Sequence, residues 1–316
     1  MGIRNLNKYL KKNCKKSINN VHLSELRNKT IVIDTSIYLY RFITEGALME
    51  NIYQMITILL KYNIEPIFVF DGKPPVEKNR TILQRKNERE IAREQFKILE
   101  QKMINNMEIR ENKNLLKEMN ILKRQIVSIK RKDIWNVKQL LNSFGIKYVD
   151  SQGEADELCA YLVNSEEGWG CLSDDTDMFV YGCKYVLREL NLLNHSVYVY
   201  NTKSILNELD ITENDFKEIL ILSSTEYDNN ININIKLFDI LNIYEKYKSE
   251  KYKYVYSFYI WLLKKTNYIK NYELLLNTYK LYTTNNYDTN NIKINTSEKN
   301  LSQVQNIMTN EGFIFI

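Results

Sequence analysis

The chain has 316 residues, and its 44 Lys and Arg against 39 Asp and Glu give a formal net charge of +5. This length suits one large domain or two modest ones, each able to bury a core. Nine glycines and three prolines exclude collagen-like or linker-like sequence, and a hydrophobic fraction of 44% excludes wholesale disorder. A charge of +5 is too small by itself to indicate a nucleic-acid binder.

The four cysteines, Cys14, Cys159, Cys171 and Cys183, form no C-x-x-C pair, and the chain has two histidines. A zinc site of standard spacing therefore cannot be built, and we expect reduced thiols in an intracellular protein. Residues 1–6 contain no apolar signal core, and the most apolar stretch, residues 254–263, is about half as long as a membrane span. These features predict a soluble protein with no membrane partner.

Three short apolar runs each lead into aspartate. The runs are residues 31–33, 67–70 and 171–173, followed by Asp34, Asp71 and the acidic run 174–177. Apolar runs of this length predict buried parallel strands, and helix-spaced apolar residues over 49–62 predict the crossover of a βαβ unit. Ligands of open α/β sheets bind at the carboxyl ends of the strands, which here carry carboxylates.

A long basic segment follows. Residues 76–144 contain no Gly or Pro, which predicts long helices, two of them with a bend near Asn105 and Asn106. Between Lys73 and Lys132 there are 17 Lys and Arg against eight Glu, so the rest of the chain is net acidic. Such a run is either a solvated helical face or a phosphate-binding surface, and its concentration on one segment favours the second.

The last third is rich in tyrosine and lysine. Tyr and Lys interleave from Tyr244 to Tyr282, which fits either a nucleic-acid face or ordinary amphipathic helices, and we favour the helices. Residues 283–304 are polar and of low complexity, so we expect them to be mobile.

Six acids are expected at strand ends and helix starts: Asp34, Asp71, Glu154, Asp156, Asp175 and Asp177. We expect a helix to begin at Ser151 or Gly153 and to carry Glu154 and Asp156. A single Asp is usually a cap or turn residue, but six acids at one sheet edge would repel one another. Without Cys or His ligands, the compensating cation is Mg²⁺ or Mn²⁺, and so many carboxylates suit two ions and in-line phosphoryl chemistry.

These residues resemble the flap endonuclease/XPG family of structure-specific 5′ nucleases. The similarity begins with Met1-Gly2-Ile3 and covers roughly residues 1–230. The other matching runs are Ile33-Asp34-Thr35-Ser36, Phe68-Val69-Phe70-Asp71-Gly72-Lys73-Pro74-Pro75, Gly153-Glu154-Ala155-Asp156 and Ser173-Asp174-Asp175-Thr176-Asp177. The Asp71–Pro75 run is highly specific, whereas Glu-Ala-Asp alone would mean little.

The resemblance implies a PIN-like α/β 5′-nuclease core with a central, mostly parallel sheet, a long basic helical arch over residues 76–135, and a helical C-terminal part. The six acids would bind two Mg²⁺ ions, for which Mn²⁺ can substitute, and Glu226 would take the place of a seventh acid. Lys78 and Arg85 match positions that contact the scissile phosphate, and Tyr40 matches an aromatic that stacks on a base. Gly2, Lys73 and Arg124 would also contact DNA.

The implied function is Mg²⁺-dependent endonucleolytic and 5′-exonucleolytic cleavage of branched DNA in replication, repair or recombination. A junction resolvase or a plain exonuclease on the same core is the alternative, and a non-catalytic DNA-binding scaffold is the alternative of another class. We expect a nuclease core over residues 1–215, a helical region from 216 with a polar tail over 283–316, and a monomer. The location would be the nucleus or, for a viral protein, the host cytoplasm or viral factory.

The sequence departs from the family in three places. Residues 229–236 contain no glycine where the family has a Gly-x-Gly helix–turn–helix loop with a bound K⁺, so duplex contact there is expected to be weakened. The segment after Gly46 is short where the family has a wedge-like helical element. Gln305 and Met308 fit the start of a sliding-clamp motif, but Glu311 and Gly312 stand where aromatics belong, so we do not expect clamp binding.

Overall fold

The computed structural model describes residues 2–74, 78–105, 113–223, 236–250, 257–269, 271–283 and 292–315. These residues divide into two compact units. The sheet unit comprises Met1–Ile37, Gln54–Lys73 and Ile146–Ser297, and the helical unit comprises Tyr38–Tyr53, Pro74–Gly145 and Glu298–Ile316. The domain boundary expected between residues 215 and 216 stays a prediction.

The sheet unit is built on seven strands. They are β1 (Ile18–His22), β2 (Thr30–Asp34), β3 (Glu65–Phe70), β4 (Lys147–Asp150), β5 (Gly170–Leu172), β6 (Tyr185–Asn191) and β7 (Ser196–Asn201). Their order in the sheet is β1-β7-β6-β5-β2-β3-β4. Strands β6, β5, β2, β3 and β4 are parallel, whereas β7 pairs antiparallel with β6 and β1.

The three predicted strands are β5, β2 and β3, and they are neighbours in the sheet. Val32, Phe68 and Cys171 are fully buried, as expected for parallel strands with both faces covered. The parallel pairing brings the carboxyl ends of these strands to one edge. The expectation of a central, mostly parallel sheet is therefore confirmed.

Fourteen α-helices are found among the described residues. They are α1 (Leu6–Asn13), α2 (Thr35–Glu45), α3 (Leu48–Lys61), α4 (Asn79–Asn105), α5 (Lys113–Ile126), α6 (Arg131–Phe144), α7 (Ala155–Asn164), α8 (Asp177–Val180), α9 (Thr202–Leu209), α10 (Glu213–Ser223), α11 (Leu237–Glu250), α12 (Phe258–Lys265), α13 (Tyr272–Leu281) and α14 (Leu301–Asn310). The predicted crossover over 49–62 corresponds to α3. None of these helices is both long and apolar enough to cross a membrane.

The basic segment forms three helices, so the expectation of two was wrong. Helices α4 and α5 pack against each other, and the bend expected near Asn105 and Asn106 falls where α4 ends, with Asn106 itself outside the described residues. A second break precedes α6 because Asp133 turns back and accepts a hydrogen bond from the backbone N–H of Lys130 at 2.8 Å. Such a cap begins a new helix without any Gly or Pro.

The polar tail contains a packed helix that the sequence analysis did not predict. Helix α14 packs on α6, with Val304 and Met308 buried, and the side chain of Asn300 caps its first turn by accepting from the N–H of Gln303 at 3.0 Å. Two apolar residues four apart are enough to dock one short helix when a cap satisfies its first turn.

Several tyrosines of the last third are core residues of the sheet unit. Tyr244, Tyr247 and Tyr259 are each at most 1% exposed. The rings of Tyr244 and Tyr247 pack on Phe258, and that of Tyr259 packs on Tyr279. The amphipathic-helix interpretation is confirmed for these residues, which cannot serve as an exposed aromatic face for nucleic acid.

Candidate active site

Asp34 is the last residue of β2 and is 4% exposed. One of its carboxylate oxygens accepts a hydrogen bond from the hydroxyl of Ser173 at 2.9 Å. Ser173 directly follows β5, and its hydroxyl also accepts from the backbone N–H of Asp175 at 3.1 Å. One serine therefore joins two neighbouring strand ends and holds the first acid in a fixed position.

Asp71 directly follows β3 and is the exposed member of the set. Its two oxygens accept from the hydroxyl of Ser36 and from the backbone N–H of Ala155, the latter at 2.8 Å. Ala155 opens α7, so Asp71 is bound to the positive end of that helix, a favourable place for a carboxylate. We expected α7 to begin at Ser151 or Gly153, but the helix begins at Ala155, directly after Glu154.

The specific run after Asp71 is explained by close backbone packing. Gly72 donates to the carbonyl of Gly153 at 2.7 Å, and Lys73 donates to that of Gln152 at 3.0 Å. A Cβ on Gly72 would lie 1.9 Å from the carbonyl oxygen of Ser151, so this approach requires glycine. The Lys73 side chain is exposed at this edge of the sheet unit.

Asp175 and Asp177 lie in the loop after β5, and both are buried. Asp175 accepts from the backbone N–H of Asp177 at 3.0 Å, and Asp177 starts the short helix α8. The hydroxyl of Tyr282 donates to Asp177 at 3.5 Å, and the Tyr282 ring packs on Tyr181. The loop geometry thus presents two carboxylates within five residues of the end of a central strand.

Five of the predicted acids interact electrostatically. Burial raises the pKa of Asp34 to about 7, and the negative charges of Asp71 and then Asp175 add to this rise, whereas the hydrogen bond from Ser173 opposes it. Burial also raises the pKa of Asp156 well above its usual value, and the negative charges of Asp34, Asp175, Asp177 and Asp71 add to this. These carboxylates therefore share one region of the sheet unit, as the sequence predicted.

Gly2 lies against the same loop. Its φ is +77°, and a Cβ on Gly2 would lie 2.3 Å from both Asp175 Oδ1 and Thr176 Oγ1 and 2.8 Å from Asp177 Oδ1. The backbone N–H of Ile3 donates to Thr176 Oγ1 at 2.6 Å. The backbone at Gly2 therefore closes on the carboxylates, in a conformation and a space that favour glycine.

The donor set fits a hard divalent cation. Carboxylate oxygens are the preferred ligands of Mg²⁺ and Mn²⁺, and mutual repulsion disfavours the ionised cluster unless a positive charge compensates it. The hydrogen bonds that Asp71 accepts from Ser36 and Ala155 use two of the roughly four lone-pair positions of its carboxylate. No group of three or more His, Cys, Asp or Glu of metal-site geometry is formed by the described residues as they stand.

Two predicted ligands are placed less directly. Glu154 is the residue before α7, its carbonyl accepts from the hydroxyl of Ser151 at 2.9 Å, and its charge helps to raise the pKa of Glu157, after burial. Glu226 lies outside the described residues, as does most of the glycine-free segment 229–236. The assignment of Glu226 as a seventh ligand stays a prediction.

The other predicted residues belong to the helical unit. Lys78 lies directly before α4, Arg85 is exposed on α4, Arg124 is exposed on α5, and Tyr40 is 39% exposed on α2. Arg85, Arg124 and Tyr40 are thus accessible, and their roles stay predictions.

The sequence analysis missed the groups that hold the acids in place. Ser36 and Ser173 stand within the matched runs, so the runs contained the signal, but their hydroxyl roles depend on contacts with Asp71 and Asp34 that are 35 and 139 residues distant. Tyr282 and Arg188 stand in none of the matched runs, which therefore gave no signal for them.

A mostly parallel sheet flanked by helices, with carboxylates gathered at the carboxyl ends of its central strands, defines a PIN-like α/β 5′-nuclease core. Two family models match the chain: the XPG N-terminal domain over residues 1–92 and the XPG I-region over residues 145–226. Together they cover more than half of the chain.

Individual proteins agree with this match. Flap endonuclease 1 of Methanococcus aeolicus is 28% identical over 224 residues, which are 66% of this chain and 65% of that protein. A probable RAD2-like endonuclease, 369L, of Invertebrate iridescent virus 6 is 27% identical over 283 residues, 73% of this chain and 68% of that protein. The solved catalytic core of Rad2 in complex with DNA substrate has a TM-score of 0.65 and 22% identity, covering 99% of this chain and 95% of that one, which shows the same fold.

The chain belongs to the XPG and flap endonuclease family, whose members are nucleases that hydrolyse phosphodiester bonds. Its match spans about two thirds of the length of the archaeal relative.

Proposed function

We propose that the chain is a Mg²⁺-dependent, structure-specific 5′ nuclease that cleaves branched DNA, both as a 5′-flap endonuclease and as a 5′–3′ exonuclease. The observation that carries the proposal is the convergence of Asp34, Asp71, Asp156, Asp175 and Asp177 at the carboxyl edge of β5, β2 and β3. Replication, repair or recombination is the process we assign to this activity.

The residues that would hold two Mg²⁺ or Mn²⁺ ions are these five acids with Glu154 and Glu226. When bound, the ions would supply an activated water and neutralise charge on the phosphate and leaving group. Ser173 and Ser36 would keep Asp34 and Asp71 oriented, and Gly2 would seal the side of the loop that bears Asp175 and Asp177.

Lys78 and Arg85 are assigned to the scissile phosphate. Lysine offers a compact charge and arginine a planar fork, which suit a phosphate whose negative charge grows in the transition state. Tyr40 would stack on the base beside the cleaved bond, because an exposed aromatic ring offers a π-face to any base. Lys73 and Arg124 would bind backbone phosphates.

We assign DNA with single-strand/duplex junctions as the partner and a monomer as the active form. A sliding clamp is left out of the proposal because Met308, which would have to anchor it, is 1% exposed and packed within the helical unit.

The test is a cleavage panel on end-labelled 5′-flap, nick, bubble and four-way substrates, with Mg²⁺, with Ca²⁺ and with EDTA. We expect Mg²⁺-dependent cutting at the 5′ flap. Preferential symmetric cutting of the four-way substrate would favour the resolvase, degradation of every free 5′ end would favour the plain exonuclease, and tight binding without cutting would favour the non-catalytic scaffold. Glu226→Ala tests the seventh ligand, and wild-type cutting by that variant would contradict its assignment.

A further inference from the structure

A buried arginine lies beside the loop that bears Asp175 and Asp177. Arg188 is the fourth residue of β6 and is 6% exposed. Its Nη2 donates to the carbonyl oxygen of Asp174 at 2.6 Å. No described residue accepts a hydrogen bond from its Nε or Nη1, and none forms an ion pair with it.

Such an arrangement is costly if its only role is to stabilise the fold. A guanidinium is always charged, and buried charges are normally paired and fully hydrogen-bonded. A buried group that breaks this rule calls for an explanation, and functional sites are where stability rules are most often broken. The Arg188 guanidinium carbon lies 5.9 Å from the centroid of the Tyr200 ring, and its hydrogen bond goes to the loop that bears Asp175 and Asp177, so the placement of that loop is the function that its contacts support.

The neighbouring residue completes a clamp on Asp174. Glu189 has a φ of +56° at the bulge of β6, and this turn directs its backbone N–H to Asp174 Oδ1 at 2.8 Å. The Glu189 carboxylate is held in turn by Lys11 at 2.7 Å and Asn7 at 3.1 Å, both from α1. Two consecutive residues of β6 thus fix both the carbonyl and the side chain of Asp174.

Asp174 is one of the three residues that attach the loop, together with Ser173 and Thr176. The next residue, Asp175, accepts from the N–H of Asp177 at 3.0 Å, so the two carboxylates move with their own backbone. Displacing Asp174 would therefore displace both acids. We propose that Arg188 is a positioning residue of the candidate site, which sets the geometry of the Asp175 and Asp177 carboxylates through Asp174; this inference rests on the proposed function.

The experiment measures Mn²⁺ binding to the full chain without DNA, by the loss of the free-ion electron paramagnetic resonance signal. Single-turnover flap cleavage at saturating DNA and thermal melting are measured on the same samples. The variants are Arg188→Met, Arg188→Lys and Asp174→Ala, with the exposed Arg27→Met as a matched control.

For Arg188→Met we expect Mn²⁺ affinity and cleavage rate to fall by about 10- to 100-fold, as for other residues that orient metal ligands. In Arg188→Lys both quantities should fall less, because lysine keeps the charge but loses the planar fork. For Asp174→Ala we expect a still smaller fall in Mn²⁺ affinity and cleavage rate, and Arg27→Met should match the wild type in both.

A lower melting temperature with unchanged Mn²⁺ affinity and unchanged rate would show a purely structural arginine and overturn the proposal. If Arg188→Met does not fold, wild-type Mn²⁺ affinity in both Arg188→Lys and Asp174→Ala overturns it equally. A wild type that neither binds Mn²⁺ nor cuts the flap would contradict both the proposed function and the role of Arg188. A wild type that does both, with variants that match it, would contradict the role of Arg188 alone.

Discussion

The acidic edge of the sheet unit and the basic helices of the helical unit carry opposite charges and are built in opposite ways. Asp34, Asp175 and Asp177 are at most 6% exposed, whereas Arg85 and Arg124 on α4 and α5 project into solvent. Four of the acids, Asp34, Asp71, Asp175 and Asp177, accept hydrogen bonds from hydroxyls or backbone N–H groups.

The difference has a physical cause. Carboxylates that must act together need fixed positions, and only burial and hydrogen bonding can hold like charges side by side. Exposed lysines and arginines gain little from fixed contacts and stay adaptable until a phosphate binds. We therefore expect changes in the acidic edge to act on chemistry, and changes in the basic helices to divide between chemistry and binding.

The largest effect is expected for Asp177→Ala. A ligand and a negative charge are removed together, so cleavage should fall by about a thousand-fold, the equivalent of several kcal/mol, while DNA binding stays equal or tightens. Single-turnover cleavage of a labelled flap measures the rate, and equilibrium binding of the same flap measures the affinity for DNA. Asp239→Ala, an exposed acid on α11, is the control, and normal cutting by Asp177→Ala would end the metal assignment.

The second effect separates catalysis from binding in the basic helices. Lys78→Ala and Arg85→Ala should each lower the rate at saturating DNA by about 100-fold, with much smaller changes in Kd, if these side chains stabilise the transition state. Lys86→Ala, the neighbouring exposed charge on α4, should change neither strongly. Weaker binding with an unchanged single-turnover rate would reduce Lys78 and Arg85 to ordinary phosphate contacts.

The third effect tests how tightly the acidic edge is packed. Gly2→Ala should lower the cleavage rate by roughly 10-fold, because its Cβ would press on Asp175 Oδ1 and displace a carboxylate. Gly312→Ala is the matched control, since its φ of +87° is similarly strained but nothing lies within 4 Å of its Cβ. Equal losses in both variants would point to backbone strain rather than to contact with the site.

The last effect concerns stability and not cleavage, and it involves a buried acid far along the chain. Glu218 on α10 is 5% exposed, and burial raises its pKa to about 7, against hydrogen bonds from the Tyr259 N–H and Asn214. Because the folded pKa is raised, its contribution to stability is present below about pH 4.5 and is lost as pH rises through about 7.

Urea unfolding at several pH values measures this loss, which is at most about 3 kcal/mol. Glu218→Gln should flatten that part of the profile, because the amide keeps an acceptor for the Tyr259 N–H and does not ionise. Glu167→Gln, an exposed control, should retain the wild-type profile. A wild-type slope in Glu218→Gln would show that other groups cause the pH dependence.

The sequence was informative where local pattern and motif agree. The strands ending at Asp34 and Asp71, the crossover helix α3 and the gathering of acids at one sheet edge followed from apolar runs and parallel pairing. It was less reliable for helix ends, because the break before α6 depends on one side chain, Asp133, and α14 depends on docking against α6.

The identity of the acids and the class of chemistry they serve were determined by the sequence, since residue type decides which ions and which transition-state charges a site can stabilise. Only the tertiary structure decided what holds those acids. The clamp of Arg188 and Glu189 on Asp174 and the hydroxyl bridge of Ser173 to Asp34 join segments brought together by the pairing of β2, β5 and β6. Contacts of this kind depend on distance in space, and spacing along the chain contains no record of them.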